Sequence, residues 1–156
     1  MDRPLPAERL IREAIDVYSQ RKDQLGLAEA YLTYGFFFRT SSVERWKHIY
    51  QVQGFFDKEA PYETRFEWSI TYFERAEEIF HNRAAFDRLT NVEFNKGVTY
   101  ALMHQDIKAC AAFSASLASR QRASEADPSV RVLLPKGFSS YAALVEDAKR
   151  RIACSS

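Results

Sequence analysis

The segment Tyr31-Leu-Thr-Tyr-Gly-Phe-Phe-Phe38 decides the fold of this chain. It sets Gly35 among aromatic residues at helical spacing, and a second segment repeats the pattern as Gly97-x-x-Tyr100. A glycine inside a helix costs about 1 kcal/mol relative to alanine, so it usually has a packing reason. We therefore predict that a second helix presses against the bare backbone at Gly35 and at Gly97.

Partner helices are marked by a small residue one turn before an aromatic residue. The three pairs are Ala14-x-x-x-Tyr18, Ala76-x-x-x-Phe80 and Ala109-x-x-x-Phe113. Ala14 precedes Gly35 by 21 residues and Ala76 precedes Gly97 by the same 21, while Ala109 follows Gly97 by 12. These intervals indicate one helical-hairpin register on both sides of the chain.

Together these motifs resemble the tetratricopeptide repeat (TPR) family, which pairs a Gly-aromatic first helix with an Ala-x-x-x-aromatic second helix. The resemblance covers residues 7–39 and 66–128. It departs in the middle, where the expected alanine and aromatic residue fall on Lys47 and Gln51. Residues 41–61 are therefore either an inserted helix or a degenerate repeat. The resemblance implies an all-α fold of stacked helical hairpins. The length of 156 residues predicts a single domain over residues 1–156. A last helix at about 139–152, outside the resemblance, is expected to cap the array.

Apolar periodicity predicts seven helices and no strands. Leu25-Gly26 is expected to link the first two helices, and Ser41-x-x-Glu44 to begin the third as a capping box. Pro128 is expected to stop the sixth helix, and Ser139-Ser140 to cap the seventh. The predicted helices span about 7–23, 27–39, 41–54, 61–83 (long enough to break near Ser69), 86–103, 106–122 and 139–152.

Charge and cysteine usage favour a soluble, cytoplasmic protein. The formal net charge of +1 gives no electrostatic footprint for nucleic acid or an anionic membrane. The first residues lack the apolar core of a signal peptide, and the longest apolar run is too short to span a bilayer. Cys110 and Cys154 lie far apart without metal-ligand spacing. We expect two reduced thiols, with Cys110 buried and inert.

No pattern in the sequence predicts catalysis, a metal site or a cofactor. His48, His81 and His104 fall in different segments without an HExxH motif, so we expect surface histidines. The carboxylates of residues 74–78 are expected to form a solvated helix face with Arg75. Phosphate loops, nucleophile elbows and dinucleotide fingerprints do not occur. The sequence therefore predicts a protein that is not an enzyme.

The TPR resemblance implies a groove lined by the first helix of each hairpin. Such a mixed apolar and polar groove suits an extended or helical peptide. A role in the core or in a dimer is equally open for Phe36 and Phe94. The carboxylate clamp of chaperone co-factors is not supported, since only Asn95 corresponds to it. The implied lining residues are Glu29, Leu32, Thr33, Phe36 and Arg39 in the first copy, and Asn91, Phe94, Asn95, Val98 and Leu102 in the second.

Three functional hypotheses follow. The first is a non-catalytic adaptor, chaperone, regulator or immunity-type inhibitor that binds a protein or peptide. The second is a structural homodimer, in which terminal hairpins or the segment around Trp46 cover apolar surface on a second copy. The third is an RNA-binding helical repeat, which is disfavoured because 22 Lys and Arg residues are balanced by 21 Asp and Glu residues.

Overall fold

The computed structural model describes residues 4–154, and the predicted all-α class is confirmed because no strand occurs in that range. A 3-10 turn, Tyr62–Thr64, precedes the fifth helix. The helices are α1 (Pro4–Gln20), α2 (Gln24–Phe38), α3 (Ser41–Arg45), α4 (Lys47–Gln53), α5 (Arg65–Asn82), α6 (Phe86–Leu102), α7 (Asp106–Ala126) and α8 (Tyr141–Arg151).

The chain forms two compact units, Met1–Ile79 and Phe80–Ser156. The prediction of one domain over residues 1–156 stays a prediction. The core of the second unit is built on Ala109, Phe113 and Val145. The core of the first unit is rich in aromatic residues; its buried members are Ile15, Leu27, Ala30, Tyr34, Phe37, Phe38, Val43, Tyr50, Phe55, Ala60, Tyr62 and Tyr72.

Both predicted glycine contacts exist. A Cβ atom at Gly97 would lie 2.6 Å from the ring of Phe113, and one at Gly35 would lie 2.6 Å from the ring of Phe73. The Gly97 contact joins α6 to α7, as the hairpin register predicts. The Gly35 contact joins α2 to α5 instead of to its neighbour in sequence. Ser69 reinforces it, because its buried hydroxyl donates to the Gly35 carbonyl oxygen at 2.6 Å.

Two expectations about these helices are wrong. The fifth helix runs unbroken past Ser69, whose side chain is used to join α5 to α2. Leu25-Gly26 is not a link, since α2 begins at Gln24 and the Asp23 carboxylate caps it by accepting from the Gly26 amide at 3.0 Å. Gly26 is instead a third close approach, where the Tyr18 ring of α1 packs on bare backbone.

Three helix–helix connections use the same backbone turn. Lys22, Ala84 and His104 follow α1, α5 and α6 with positive φ values of 56°, 50° and 56°. In each turn the next residue donates its amide to the carbonyl five residues earlier, at 3.0, 2.9 and 2.9 Å. This is the Schellman pattern of helix termination. Its recurrence gives the α1–α2, α5–α6 and α6–α7 connections one common geometry.

The structure of residues 41–54 differs from the single helix predicted there. A single helix over 41–54 is wrong, because the backbone leaves the helical region at Trp46 (φ −101°, ψ 23°) and separates α3 from α4. The Trp46 ring packs against the core of the first unit. The cap of α3 is Thr40 rather than Ser41, since the Thr40 hydroxyl accepts from the Val43 amide at 3.4 Å.

The C-terminal part follows the sequence closely. Asp127 is extended (φ −146°, ψ 99°) because Pro128 disfavours the helical conformation in the residue before it, and α7 ends at Ala126. Ser140 caps α8, its hydroxyl accepting from the Ala143 amide at 3.1 Å. Helix α8 packs on α7 through Tyr141, Val145, Ala148 and Ile152, with Val145 fully buried.

Replacing Gly97 by alanine should destabilise the protein by about 1–3 kcal/mol, because the new methyl group overpacks against the buried ring of Phe113. Without that ring, the same change would stabilise the helix by about 1 kcal/mol. The sign of the change in urea midpoint therefore shows whether the Phe113 ring lies against Gly97. In a Phe113→Leu background the cost should shrink or reverse. An unchanged or higher midpoint for Gly97→Ala alone would contradict the contact.

Candidate functional site

Two members of the first predicted groove set, Phe36 and Arg39, pack against Phe73 of their own unit. Leu32 is only 5% exposed, so its assignment to an open groove is wrong. Phe36 meets the Phe73 ring edge-on, with centroids 5.4 Å apart. The Arg39 guanidinium lies over both rings, 5.1 and 5.7 Å from their centroids. Burial lowers the pKa of Arg39 to about 10.

Glu29 and Thr33, the other two members of that set, line an apolar pocket between α1 and α2. Its volume is about 300 Å³. The Thr33 hydroxyl donates to the Glu29 carbonyl oxygen at 2.8 Å, which satisfies it within its own helix. The remaining lining residues are Leu10, Ile11, Ala14, Tyr18 and Ala30. The pocket is therefore lined mainly by carbon.

Helix α1 extends this apolar surface beyond the pocket. Leu10 is 60% exposed and Val17 is 44% exposed. Residues seven apart in a helix share one face, so Leu10 and Val17 lie in line along α1. We call the pocket together with Leu10 and Val17 the α1–α2 groove.

The second predicted set lies in the second unit, where Phe94 and Val98 belong to the apolar cluster that also includes residues of α8. The Phe94 ring packs between Phe113 and Tyr141, with centroids 5.2 and 6.1 Å away. Val98 belongs to the same cluster. Of the roles left open for Phe94, the structure therefore shows a core role within this unit. The polar members Asn91 and Asn95 bond to each other on α6, at 2.7 and 2.8 Å, and Leu102 is exposed at the end of that helix.

A disulfide joins Cys110 to Cys154, with Cα atoms 5.8 Å apart. The expectation of two reduced thiols, one of them buried and inert, is wrong. The sequence separation of 44 concealed the pairing, because only the packing of α8 along α7 brings the two cysteines together. Cys110 lies near the start of α7 and Cys154 just after α8. The last helix is therefore tied covalently to the hairpin beneath it.

A buried polar network, unforeseen from the sequence, organises the first unit. The fully buried Glu8 accepts two hydrogen bonds on Oε1, from the Tyr34 hydroxyl and from the Phe56 amide, both at 2.7 Å. The Tyr34 oxygen accepts from the Asp57 amide at 3.2 Å, and the Tyr72 hydroxyl donates to the Asp57 carboxylate at 2.7 Å. The network pins the segment that follows α4 to three helices.

Burial in the core favours the neutral form of the Glu8 carboxyl group in this network. Burial raises the pKa of Glu8, and it outweighs the two hydrogen bonds, which favour the ionised form. Glu8 Oε2 and the Tyr50 hydroxyl are buried without a hydrogen-bond partner among the described residues. Burial, then the Glu8 charge, raise the pKa of Tyr50. Because Glu8 has no exposed surface, the network anchors a loop instead of offering an acid or base to a substrate.

Within residues 4–154, no group of three or more His, Cys, Asp or Glu side chains is placed to hold a metal ion. His48, His81 and His104 are all exposed. Among the same residues, no helix is both long and apolar enough to cross a bilayer.

No family model matches the chain, and neither a curated protein nor a solved structure matches it. The functional conclusion therefore rests on the geometry of the α1–α2 groove and of the second unit.

Removing the disulfide with Cys110→Ser and Cys154→Ser should lower the free energy of unfolding by about 2–4 kcal/mol. The reason is that a loop of this length restricts the unfolded chain. Urea unfolding followed by circular dichroism measures the loss. Wild-type protein treated with a dithiol reductant is the matched control and should reproduce the variant. Equal midpoints for the oxidised protein and the variant would contradict the bond.

Glu8 should make stability fall as pH rises. Its folded-state pKa is raised above the unfolded value, so the folded state holds a proton that the unfolded state has lost. Stability is then lost between pH 4.5 and the raised pKa, with a slope of at most about 1.4 kcal/mol per pH unit. Glu8→Gln should remove this slope.

The fluorescence of Trp46 and Trp68 reports urea unfolding of the first unit. The midpoint of the wild type minus that of Glu8→Gln should decrease from pH 4 to pH 7. Glu13→Gln, at an exposed position of the same helix, is the control and should leave the wild-type pH profile unchanged. A constant difference between wild type and Glu8→Gln would refute the role of Glu8.

Proposed function

We propose that this chain is a non-catalytic interaction module that binds an amphipathic helix of another protein along the α1–α2 groove. The observation that carries the proposal is the apolar pocket of about 300 Å³ between α1 and α2, beside the exposed side chains of Leu10 and Val17. A soluble protein gains from covering such a surface, and a partner helix can cover it.

The geometry of the groove suits a helix. Two neighbouring helices leave a channel between them, and a third helix can lay its apolar face in such a channel with anchors at i, i+3, i+4 and i+7. Leu10 and Val17 are separated by two helical turns, about 10 Å along α1. A partner helix can therefore place one apolar side chain in the pocket and contact both residues along one stripe.

The TPR resemblance supports the same class of function. Helical-hairpin repeats commonly present binding surfaces rather than catalytic groups. The shared turn geometry after α1, α5 and α6 agrees with a repeated hairpin plan. Adaptor, chaperone, regulator and immunity-type inhibitor are all roles that such a module can fill.

The disulfide changes the compartment that we propose. Disulfides persist in oxidising compartments and are uncommon in the cytoplasm, where they are usually transient. The cytoplasmic location expected from the sequence depends in part on reduced thiols. We therefore propose a compartment in which the Cys110–Cys154 bond forms, either permanently or reversibly.

A library of amphipathic helical peptides displayed against the full-length protein tests the groove. Selected peptides should carry apolar residues at i, i+3 or i+4, and i+7. They should bind the wild type roughly tenfold to a hundredfold more tightly than the Leu10→Ser/Val17→Ser variant. Binding newly buries only the exposed 60% of Leu10 and 44% of Val17, about one full side chain in total, and a fully buried apolar side chain contributes about 1.5–3 kcal/mol.

The matched control is Val52→Ser, which removes an apolar side chain that is 85% exposed on α4. It should leave peptide affinity unchanged, and circular dichroism should show all variants to be folded. Failure to select any peptide, or selection of peptides that bind the double variant as well as the wild type, would refute the proposal.

A further inference from the structure

We propose that the Cys110–Cys154 disulfide is a redox latch, which holds α8 on a helix-binding face formed by α6 and α7. When the latch is opened, this face accepts an amphipathic helix with the same apolar stripe from another protein. The site is separate from the α1–α2 groove and does not depend on it.

Helix α8 lies on this face as a ligand would. Val145 is fully buried in the cluster around Ala109 and Phe113, and α8 adds further apolar side chains at one- to two-turn spacing. At its N-terminal end the Tyr141 hydroxyl reaches the Thr90 carbonyl oxygen at 3.4 Å. The apolar stripe of α8 consists of Tyr141, Val145, Ala148 and Ile152.

Helix α8 buries few of its side chains, so noncovalent packing contributes little to keeping it in place. Val145 is its single fully buried residue. Eleven residues form too short a helix to be stable alone in water. The segment from residue 127 to 140 contains no helix, and it leaves Leu133 97% exposed. The bond at Cys154, just beyond the end of α8, therefore supplies a constraint that the packing alone does not.

The chemistry of opening is thiol–disulfide exchange with a dithiol reductant. One thiolate of the reductant attacks a sulfur of the disulfide, and the other cysteine leaves as a thiolate and takes up a proton. The second thiol of the reductant then attacks the mixed disulfide, and the remaining cysteine leaves as a thiolate and takes up a proton. Two electrons and two protons pass to Cys110 and Cys154, and the reductant becomes a disulfide. Both cysteines are half-buried rather than enclosed, so a reductant can reach them.

Opening changes how strongly α8 competes for its own face. In the oxidised protein α8 is held at both ends. In the reduced protein only the 14-residue segment between α7 and α8 tethers it, at an effective concentration on the order of millimolar. A free helix can then compete if it carries an apolar stripe like that of α8. In TPR terms, the face includes Phe94 and Val98, the residues expected to line a groove in the second copy.

Amide hydrogen exchange on the full-length protein tests the latch. Losing the bond lowers the stability of the whole unit, so some exchange should speed everywhere, but adding a dithiol should speed exchange in α8 at least tenfold more than it speeds exchange in α6 and α7. The Cys110→Ser/Cys154→Ser variant should show the same pattern without reductant. Unchanged exchange in α8 would overturn the latch. An equal loss of protection across α6, α7 and α8 would also overturn it, because the bond would then only stabilise the whole unit.

A fluorescent peptide of residues 139–153 tests the face. It should bind the full-length double-serine variant, and reduced wild type, at least tenfold more tightly than oxidised wild type. The same peptide with Val145→Asp should not bind. Equal affinity for the oxidised and reduced forms, or binding to neither, would overturn the proposal that this face accepts a helix.

Discussion

The structure depends on aromatic rings packed directly on the backbone of helical glycines. Each contact removes the side chain that would otherwise separate two helices, so the helices approach closely at that point. A ring that fills the space left by a missing Cβ gains dispersion contacts and tolerates almost no addition there. The three contacts are Tyr18 on Gly26, Phe73 on Gly35 and Phe113 on Gly97.

Helix α2 shows what these contacts achieve. Helix α1 contacts it at Gly26 and α5 contacts it at Gly35. Ser69 of α5 adds a buried hydrogen bond to the Gly35 carbonyl oxygen. Its aromatic residues can therefore face several neighbours at once, which an ordinary surface helix cannot do. The α1–α2 groove results from the same arrangement, because the fixed α1–α2 pair leaves Leu10 and the pocket beside it open.

The sequence predicts contacts between neighbouring helices but does not identify partners that are distant along the chain. Gly97 meets Phe113 across one tight turn, so spacing alone was enough. Gly35 meets Phe73, which lies 38 residues away, and apolar periodicity reports which residues face inward without saying which element they meet. The disulfide and the Glu8 network were missed for the same reason. Glu8 is a single acidic residue in an amphipathic helix, and nothing in the sequence indicates that its side chain is buried and accepts two hydrogen bonds.

Nuclear Overhauser effects in the oxidised protein test the glycine contacts most directly. We expect cross-peaks from the α protons of Gly97 to the ring protons of Phe113, and from the α protons of Gly35 to the ring protons of Phe73. At Gly54 and Gly137 no atom outside the two chain neighbours lies within 4 Å of a Cβ position, so the only aromatic cross-peaks expected there are those to the adjacent rings of Phe55 and Phe138. Absence of both predicted sets, with the helices otherwise formed, would contradict the packing on which the fold rests.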